Sequence, residues 1–205
     1  MNHTARSESI CIRNARSSDE AAVLDICLRT ADRGLDGTHC YSDPRLPGFV
    51  WALPYLRICP ENAFVITCDD VVMGYCVAAS DTVFYENRLE AEWWPMLLVE
   101  LQNFSATTAQ DANVLNYIRK APRTPQEITA SYPAHLHINL LPALQKGGYG
   151  AKLIRHQLQS LRHAGACGVH LGIDPRNEAV VGFYSKFGFA EIDRTPSIIM
   201  GKSLV

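Results

Sequence analysis

The chain has 205 residues, 47% of them hydrophobic, and a formal net charge of −2 at neutral pH. This length suits one domain with a full hydrophobic core, and the balanced charge provides no basic footprint for nucleic acid. No apolar run approaches a membrane span, residues 1–7 lack the apolar stretch of a signal peptide, and the seven cysteines are typical of reduced core thiols. We therefore expect a single-domain cytoplasmic protein that binds neither nucleic acid nor membranes.

The N-terminal residues predict a strand followed by a helix. Residues 10–13 alternate between apolar and polar side chains, as a half-buried strand does. Ser17 and Glu20 have the spacing of a capping box, which marks a helix start. The apolar stripe expected to follow comprises Val23, Leu24, Cys27, Leu28 and Ala31.

The next segment predicts a loop, a second helix and a hairpin. Residues 32–48 are rich in turn formers, and residues 50–59 have a helical pattern that Pro54 should kink. Two apolar runs at 63–68 and 72–78 then flank an Asp-Asp pair, which is a hairpin signal.

Residues 82–133 form a span far longer than an ordinary connection. The span begins after the hairpin and contains Trp93 and Trp94. We interpret it as an insertion with short helices of its own. One or both tryptophans could line a pocket, and we expect at least one to belong to the core of the insertion.

The most informative stretch follows this insertion. Residues 135–140 read as a strand, residues 145–150 match Q-x-x-G-x-G, and a helical pattern begins immediately afterwards. The first N–H groups of a helix have no internal partner, and glycines let a phosphate approach them closely. This order predicts a site for a phosphorylated ligand, although a short glycine-rich turn can also be purely structural.

The spacing narrows the choice of ligand. Gly150 is followed by Ala151 and Lys152 rather than by Lys-Ser/Thr, so the segment is not a P-loop. The glycines also do not fit the G-x-G-x-x-G pattern of dinucleotide folds. The motif instead resembles the acyl-coenzyme-A signature Q/R-x-x-G-x-G/A of the GNAT N-acetyltransferases.

A second motif appears in the order that this family requires. Residues 167–173 read as a buried strand, and residues 177–189 resemble the GNAT pattern N-x-x-A-x-x-F-Y-x-K-x-G-F. Asn177 is a natural N-cap and Gly188 a natural helix stop. Residues 197–204 predict a last strand.

The resemblance implies the GNAT fold. This is an α/β architecture with a central mixed, mostly antiparallel twisted sheet, splayed between the fourth and fifth strands, and with helices on both faces. Within the family, four segments are similar to the acetyltransferase-like C-terminal domain of O-GlcNAcase: residues 44–48, the insertion, residues 183–186 and residues 199–204. That domain is thought to have lost the Q-x-x-G-x-G motif, which this chain retains.

The resemblance also implies the positions of a coenzyme site. Leu140 and Leu141 would bind the pantetheine arm and the thioester oxygen, and residues 145–150 would hold the pyrophosphate of acetyl-CoA. The full set of implied coenzyme-binding residues is Leu140, Leu141, Gln145, Lys146, Gly147, Gly148, Tyr149, Gly150, Asn177, Tyr184 and Lys186. Tyr184 occupies the position of the general acid, which favours that role over core packing alone, and it can serve both.

The general base is left open by the sequence. Asp174 ends the fifth strand, where partial burial could raise its pKa into a useful range, or it could simply stabilise the turn before Pro175. His137 and Asn139 share one face of the fourth strand and could hold a water, although a core role is common for such a histidine. The pair His135-x-His137 lacks further ligands at fitting distance, so we expect no metal site.

Two functions fit these observations. The first is an acetyl-CoA-dependent N-acetyltransferase acting on a small-molecule or peptide amine, with specificity set by residues 32–48 and 82–133. The second is a catalytically inactive module that binds acetyl-CoA or a peptide. A homodimer is compatible with both.

Overall fold

The computed structural model describes residues 9–194 and 196–205. Within these residues, seven strands form one sheet in the order β1-β2-β3-β4-β5-β7-β6. The strands are β1 (Ile10–Asn14), β2 (Ala63–Cys68), β3 (Val71–Ala79), β4 (Ala134–Leu140), β5 (Gly168–Ile173), β6 (Ala190–Arg194) and β7 (Ile198–Ser203).

The described residues also form nine α-helices. They are α1 (Glu20–Leu28), α2 (Leu46–Trp51), α3 (Leu53–Ile58), α4 (Thr82–Arg88), α5 (Trp94–Glu100), α6 (Ala109–Arg119), α7 (Gln126–Ser131), α8 (Tyr149–His163) and α9 (Val181–Ser185). Helices α4 to α7 confirm that residues 82–133 contain short helices. No helix in the described ranges is long and apolar enough to cross a bilayer.

The predicted splay of the sheet is confirmed. Strands β1 to β4 pair antiparallel with their neighbours, and so do β5, β7 and β6. Strands β4 and β5 are parallel, and their pairing is confined to Ala134 with Val169 and His135 with His170. Beyond these two pairs β4 and β5 separate, which opens a gap in the middle of the sheet.

Each face of the sheet has its own hydrophobic core. On one face α8 and α9 cover a core that includes Leu136, Leu153 and Leu171. On the other face α1 to α6 cover a core that includes Tyr75 and Val77. Because side chains alternate along a strand, the even-numbered residues of β4 face α8 and the odd-numbered residues face the insertion.

Most predicted elements are confirmed, with shifts at the helix starts. A 3₁₀ turn over Ser17–Asp19 precedes α1, so the capping carboxylate is Asp19, which accepts the N–H of Arg16 at 2.8 Å. The predicted role of Glu20 in that box is wrong. The break between α2 and α3 falls at Ala52 (φ −138°, ψ −62°), two residues before Pro54.

The turn between β2 and β3 has the backbone geometry of a tight hairpin. Asp69 and Asp70 both have positive φ, as the primed hairpin turn requires, and the predicted hairpin is confirmed. Strand β6 was not assigned from the sequence, because it has only five residues and four of them are exposed.

Candidate functional site

The glycine turn between β4 and α8 has a strained backbone. Gly148 is the N-cap of α8 with φ +78°, and Lys146 has φ +64°. A Cβ on Gly148 would meet no other atom within 4 Å, so the conformation, rather than crowding, favours glycine there. The Gln145 side chain closes the turn by donating from Nε2 to the Leu140 oxygen at 2.9 Å.

The turn leaves the start of α8 open to an anion. Among the described residues, the bond from Lys152 N–H to Gly148 O at 3.1 Å is the first that closes a turn of this helix. The preceding N–H groups of Tyr149, Gly150 and Ala151 therefore point out of the helix end. The first turn contains no acidic residue, although carboxylates are normally favoured there. An external anion can take that place.

Basic side chains surround this helix start. Lys152 Nζ lies 5.2 Å from the centre of the Tyr149 ring, and Arg155 Cζ lies 5.5 Å from the centre of the Phe187 ring. Lys146 and Lys186 are exposed. Within the described ranges none of these four cations forms an ion pair, so their charge is available to a ligand.

Three elements converge beside the start of α8. A Cβ on Gly150 would lie 3.5 Å from the Phe183 ring of α9 and 3.7 Å from the Leu140 side chain of β4. The start of α8, the end of β4 and α9 therefore meet at one point. Tyr184, the next residue along α9, is thereby held near the gap between β4 and β5.

The backbone of β4 presents hydrogen-bonding groups to this gap. Leu141 donates its N–H to Met73 O at 2.9 Å, and its own oxygen accepts the N–H of Leu144 at 2.9 Å. Since antiparallel pairing alternates between bonded and non-bonded positions, the backbone groups of Ile138 and Leu140 point away from β3 and into the gap. The open donor is therefore on Leu140 rather than on Leu141.

Tyr184 is half-buried and packs as predicted. Its ring lies 5.2 Å from that of Phe183 and 5.8 Å from that of Phe189, measured between centroids. Its hydroxyl has no hydrogen-bond partner among the described residues. Burial raises the pKa of this phenol above its ordinary value of 10, so the group is protonated at neutral pH.

The expected rise in the pKa of Asp174 is wrong. Arg176 donates to the carboxylate from Nη2 at 2.5 Å, from Nε at 3.0 Å and from its backbone N–H at 2.9 Å. The hydrogen bonds from the Arg176 side chain are the main cause that lowers the pKa of Asp174 below its ordinary value. The geometry matches the alternative role of a turn-stabilising residue.

The predicted N-cap at Asn177 is also wrong. Asp174 caps a 3₁₀ turn over Pro175–Val180, and Asn177 lies inside this turn with its N–H donated to Asp174 O at 2.7 Å. The carboxylate, three residues earlier, takes the capping role because Pro175 begins the turn. Gly188 (φ +81°) follows α9 as the predicted helix stop.

A second feature lies on the opposite face of the sheet. A cavity of about 760 Å³ is lined by α2, α3, the insertion and strands β4, β5, β6 and β7. Trp94 lines this cavity, whereas Trp93 is 8% exposed and donates from Nε1 to Phe49 O at 2.9 Å. The two tryptophans thus divide between pocket and core.

Three histidines form the floor of the cavity. His135 is fully engaged, with Nε2 2.7 Å from the Tyr55 hydroxyl and Nδ1 2.7 Å from the Thr82 hydroxyl, so it has no nitrogen left for a metal. His170 uses Nδ1 on Tyr132 O at 2.8 Å. His137 has no hydrogen-bond partner among the described residues, and burial, with a smaller effect of His170, lowers its pKa to about 4.

The two segments expected to set specificity, residues 32–48 and 82–133, lie differently relative to this cavity. The described residues that line the cavity include many from 82–133 but none from 32–48. The latter segment is instead fastened to the insertion through Asp111, a fully buried residue. Its carboxylate accepts the Ser42 N–H at 3.0 Å and the Ser42 hydroxyl at 2.7 Å.

One cluster in that segment was not anticipated. Asp32, His39 and Cys40 bring three potential ligand atoms within 4.8 Å of one another. Arg33 already pairs with the Asp32 carboxylate at 3.0 Å, and His39 is exposed. The cluster therefore has a counterion of its own and lies on the surface.

The similarity to known structures extends over nearly the whole chain. The fold matches the crystal structure of SsHAT with a TM-score of 0.86 and 32% identity, covering 96% of this chain and 99% of that one. It also matches yncA, a putative acetyltransferase from Salmonella typhimurium solved with acetyl-CoA. That match has a TM-score of 0.54 and 16% identity and covers 96% and 94% of the two chains.

Sequence comparison agrees with the structural matches. The chain is 22% identical over 209 residues to Protein O-GlcNAcase of Rattus norvegicus, which covers 98% of this chain but only 23% of that protein. The chain thus spans about a quarter of that relative's length. The profile of the acetyltransferase (GNAT) family matches residues 36–189, which include the glycine turn, the splayed strands and α9. On this evidence the chain belongs to the GNAT acetyltransferase family.

Proposed function

We propose that the protein is an acetyl-CoA-dependent N-acetyltransferase that moves an acetyl group directly to a primary amine. The observation that carries the proposal is the gap between β4 and β5 beside the open, acid-free start of α8. In this proposal residues 145–150 bind the pyrophosphate through backbone N–H groups. Lys146, Lys152 and Lys186 supply positive charge around it.

The gap supplies the groups needed for acyl transfer. The pantetheine arm would lie along β4 and place the thioester beside the Leu140 N–H, which would stabilise the negative charge that develops on the carbonyl oxygen. Leu141 would form no backbone hydrogen bond to the coenzyme, since its N–H and its C=O group are both already bonded within the protein. Asn177 would contact the arm from the turn after β5.

Proton transfer would use one group on each face of the sheet. The amine nitrogen forms a bond to the acetyl carbon, the C–S bond breaks, and Tyr184 donates a proton to the departing thiolate. The proton lost by nitrogen would pass to His137, directly or through one water. The low pKa and the engaged carboxylate of Asp174 argue against that residue as the base.

Calorimetric titration and a thiol-release assay test this proposal together. We expect acetyl-CoA to bind with micromolar affinity or better, roughly −8 kcal/mol, and amines to release free coenzyme A. Absence of heat and of thermal stabilisation at saturating acetyl-CoA would overturn the proposal. Binding without turnover on any amine would instead support a non-catalytic binding module.

A further inference from the structure

Five aromatic side chains lie among the thirty residues that line the cavity on the insertion face. They are Trp51, Tyr55, Tyr85, Trp94 and Tyr117. Tyr55 and Tyr85 stack with centroids 4.4 Å apart, and Trp94 meets Tyr117 edge-on at 6.1 Å. The cavity volume of about 760 Å³ lies within the usual range for sites that enclose small molecules. These aromatic side chains fit a compact ligand with a planar apolar body.

The carboxylates that line this cavity are already engaged or exposed. Glu86 accepts the Thr124 N–H at 2.9 Å and the Thr124 hydroxyl at 2.7 Å. Arg123 lies 3.7 Å from Glu86 and pairs closely with Glu90. Asp193 is exposed at the rim, on β6. Glu86 is close enough to the floor to act on the pKa of His170, but Arg123 already balances part of its charge. An ammonium group at the floor would therefore lose its water for a carboxylate that is partly neutralised, which is costly.

The floor is uncharged. Burial, as the main cause, lowers the pKa of His135, His137 and His170 below the ordinary value of 6.5. Of the three, only His137 has both nitrogens without a described hydrogen-bond partner. A weak base of this kind cannot deprotonate an alkylammonium efficiently. It can accept the proton of the much more acidic nitrogen that forms when an aromatic amine attacks a thioester.

An orphan hydroxyl also points to a ligand. Tyr85 is 2% exposed, and its Oη makes no hydrogen bond of good geometry among the described residues, although the neighbouring Tyr55 hydroxyl is close enough to act on its pKa. A buried hydroxyl without a partner is unfavourable, and Tyr85 lines the cavity. A bound molecule that carries a polar atom beside its apolar body would satisfy this group.

We propose that the acceptor is a small, weakly basic aromatic amine, bound with its ring between the aromatic side chains of the cavity and its uncharged amino group above His137. This inference rests on the acetyl-transfer function proposed above and specifies its substrate class. The amine nitrogen bonds to the acetyl carbon and gives its proton to His137, while the C–S bond breaks and the thiolate takes a proton from Tyr184. The products are an aromatic acetamide and free coenzyme A.

Two isomeric amines test the inference most directly. p-Toluidine and benzylamine have the same atoms, but the amino group of benzylamine is charged at neutral pH and that of p-toluidine is not. With saturating acetyl-CoA at pH 7, we expect kcat/KM for p-toluidine to exceed that for benzylamine by about tenfold or more. A preference for benzylamine, or for an N-acetylated lysine amide as a peptide mimic, would overturn the inference.

The same experiment separates this inference from the proposed function. Acetylation of benzylamine or of the lysine mimic alone would contradict the aromatic-amine class and leave the transferase intact. Failure to bind acetyl-CoA in calorimetry would instead remove the transferase itself, and the inference with it.

A matched variant tests the role of Tyr85. Tyr85→Phe keeps the stack with Tyr55 and removes only the orphan hydroxyl. We expect KM for p-toluidine to rise about two- to tenfold, the effect of losing one hydrogen bond, with acetyl-CoA affinity and melting temperature unchanged. An unchanged KM would contradict the placement of the acceptor beside Tyr85.

Discussion

The two faces of strand β4 present binding groups of different kinds. On the side where α8 begins, the groups are backbone N–H groups at the edge of β4 and at the helix start, set by a strand end, a glycine turn and a helix start that are contiguous in sequence. Toward the insertion they are side chains from α2, α3, four further helices and four strands. A site built from backbone depends on one short segment, whereas a site built from side chains depends on the packing of the whole domain. The first should tolerate few changes locally, and the second should respond to changes far from the chemistry.

The largest effect that would test this contrast is at Gly148. Gly148→Asp places a negative charge where the pyrophosphate is proposed to bind, and it should reduce acetyl-CoA affinity by on the order of 1000-fold, the scale of a like-charge juxtaposition. Gly148→Asn is the matched control, because it adds the same strain at φ +78° without charge. Calorimetry on both variants separates strain from charge. Equal affinities for the two variants would contradict the anion site.

The next effect concerns the proposed acid on the α8 face. Tyr184→Phe should lower turnover about 100-fold or more and leave acetyl-CoA affinity within a small factor, because ring packing is retained. Stability should also be retained, since the hydroxyl has no described partner to leave unpaired. Unchanged turnover on an accepted amine would remove Tyr184 from the mechanism.

The two histidines on the other face can be compared directly. His137→Gln should lower turnover by about 100-fold without changing melting temperature. His135→Gln should mainly destabilise the fold, by about 1–3 kcal/mol, because both of its nitrogens are bonded. Turnover and urea unfolding on both variants provide the test. The reverse pattern would exchange the two roles.

A smaller effect is expected where the insertion is anchored. Burial alone would raise the pKa of Asp111, but its hydrogen bonds from Ser42, Thr107 and Thr108 outweigh burial and hold the pKa at about 2. The folded-state pKa is thus below the unfolded one, so the stability that the carboxylate contributes is present above about pH 4 and is lost as pH falls toward 2. The shift corresponds to about 2 kcal/mol.

The Asp111→Asn variant should therefore have a free energy of unfolding about 2 kcal/mol lower than that of the parent at pH 7. This difference in free energy should shrink at pH 3. Urea unfolding at the two pH values measures it. A difference that does not change with pH would show that the carboxylate acts through its shape rather than its charge.

The smallest effect is expected at Asp174. Asp174→Asn keeps a side chain that can cap the turn and removes a charge that already pairs with Arg176. We expect kcat/KM and its pH profile to be unchanged. A large loss of turnover, with loss of the basic limb of that profile, would restore Asp174 as the general base.

Local sequence determined to a large extent the segments that are proposed to bind the coenzyme. The order strand, glycine turn, helix at residues 135–163, and the Phe-Tyr pair on α9, could be interpreted without tertiary contacts because helix ends and positive-φ turns are set by neighbouring residues. The hairpin at Asp69-Asp70 was predictable for the same reason.

Tertiary structure decided the rest. Which backbone groups of β4 are open depends on its register with β3, a strand some sixty residues earlier in the chain. Tertiary contacts also decide which imidazoles are bonded. His135 is bonded because Tyr55 and Thr82 reach it from distant parts of the sequence. His170 is bonded because the Tyr132 oxygen reaches it in the same way, and His137 is left open. Hydrogen bonding and burial between remote segments leave no periodic signal in the sequence, so the packed chain alone assigns these roles.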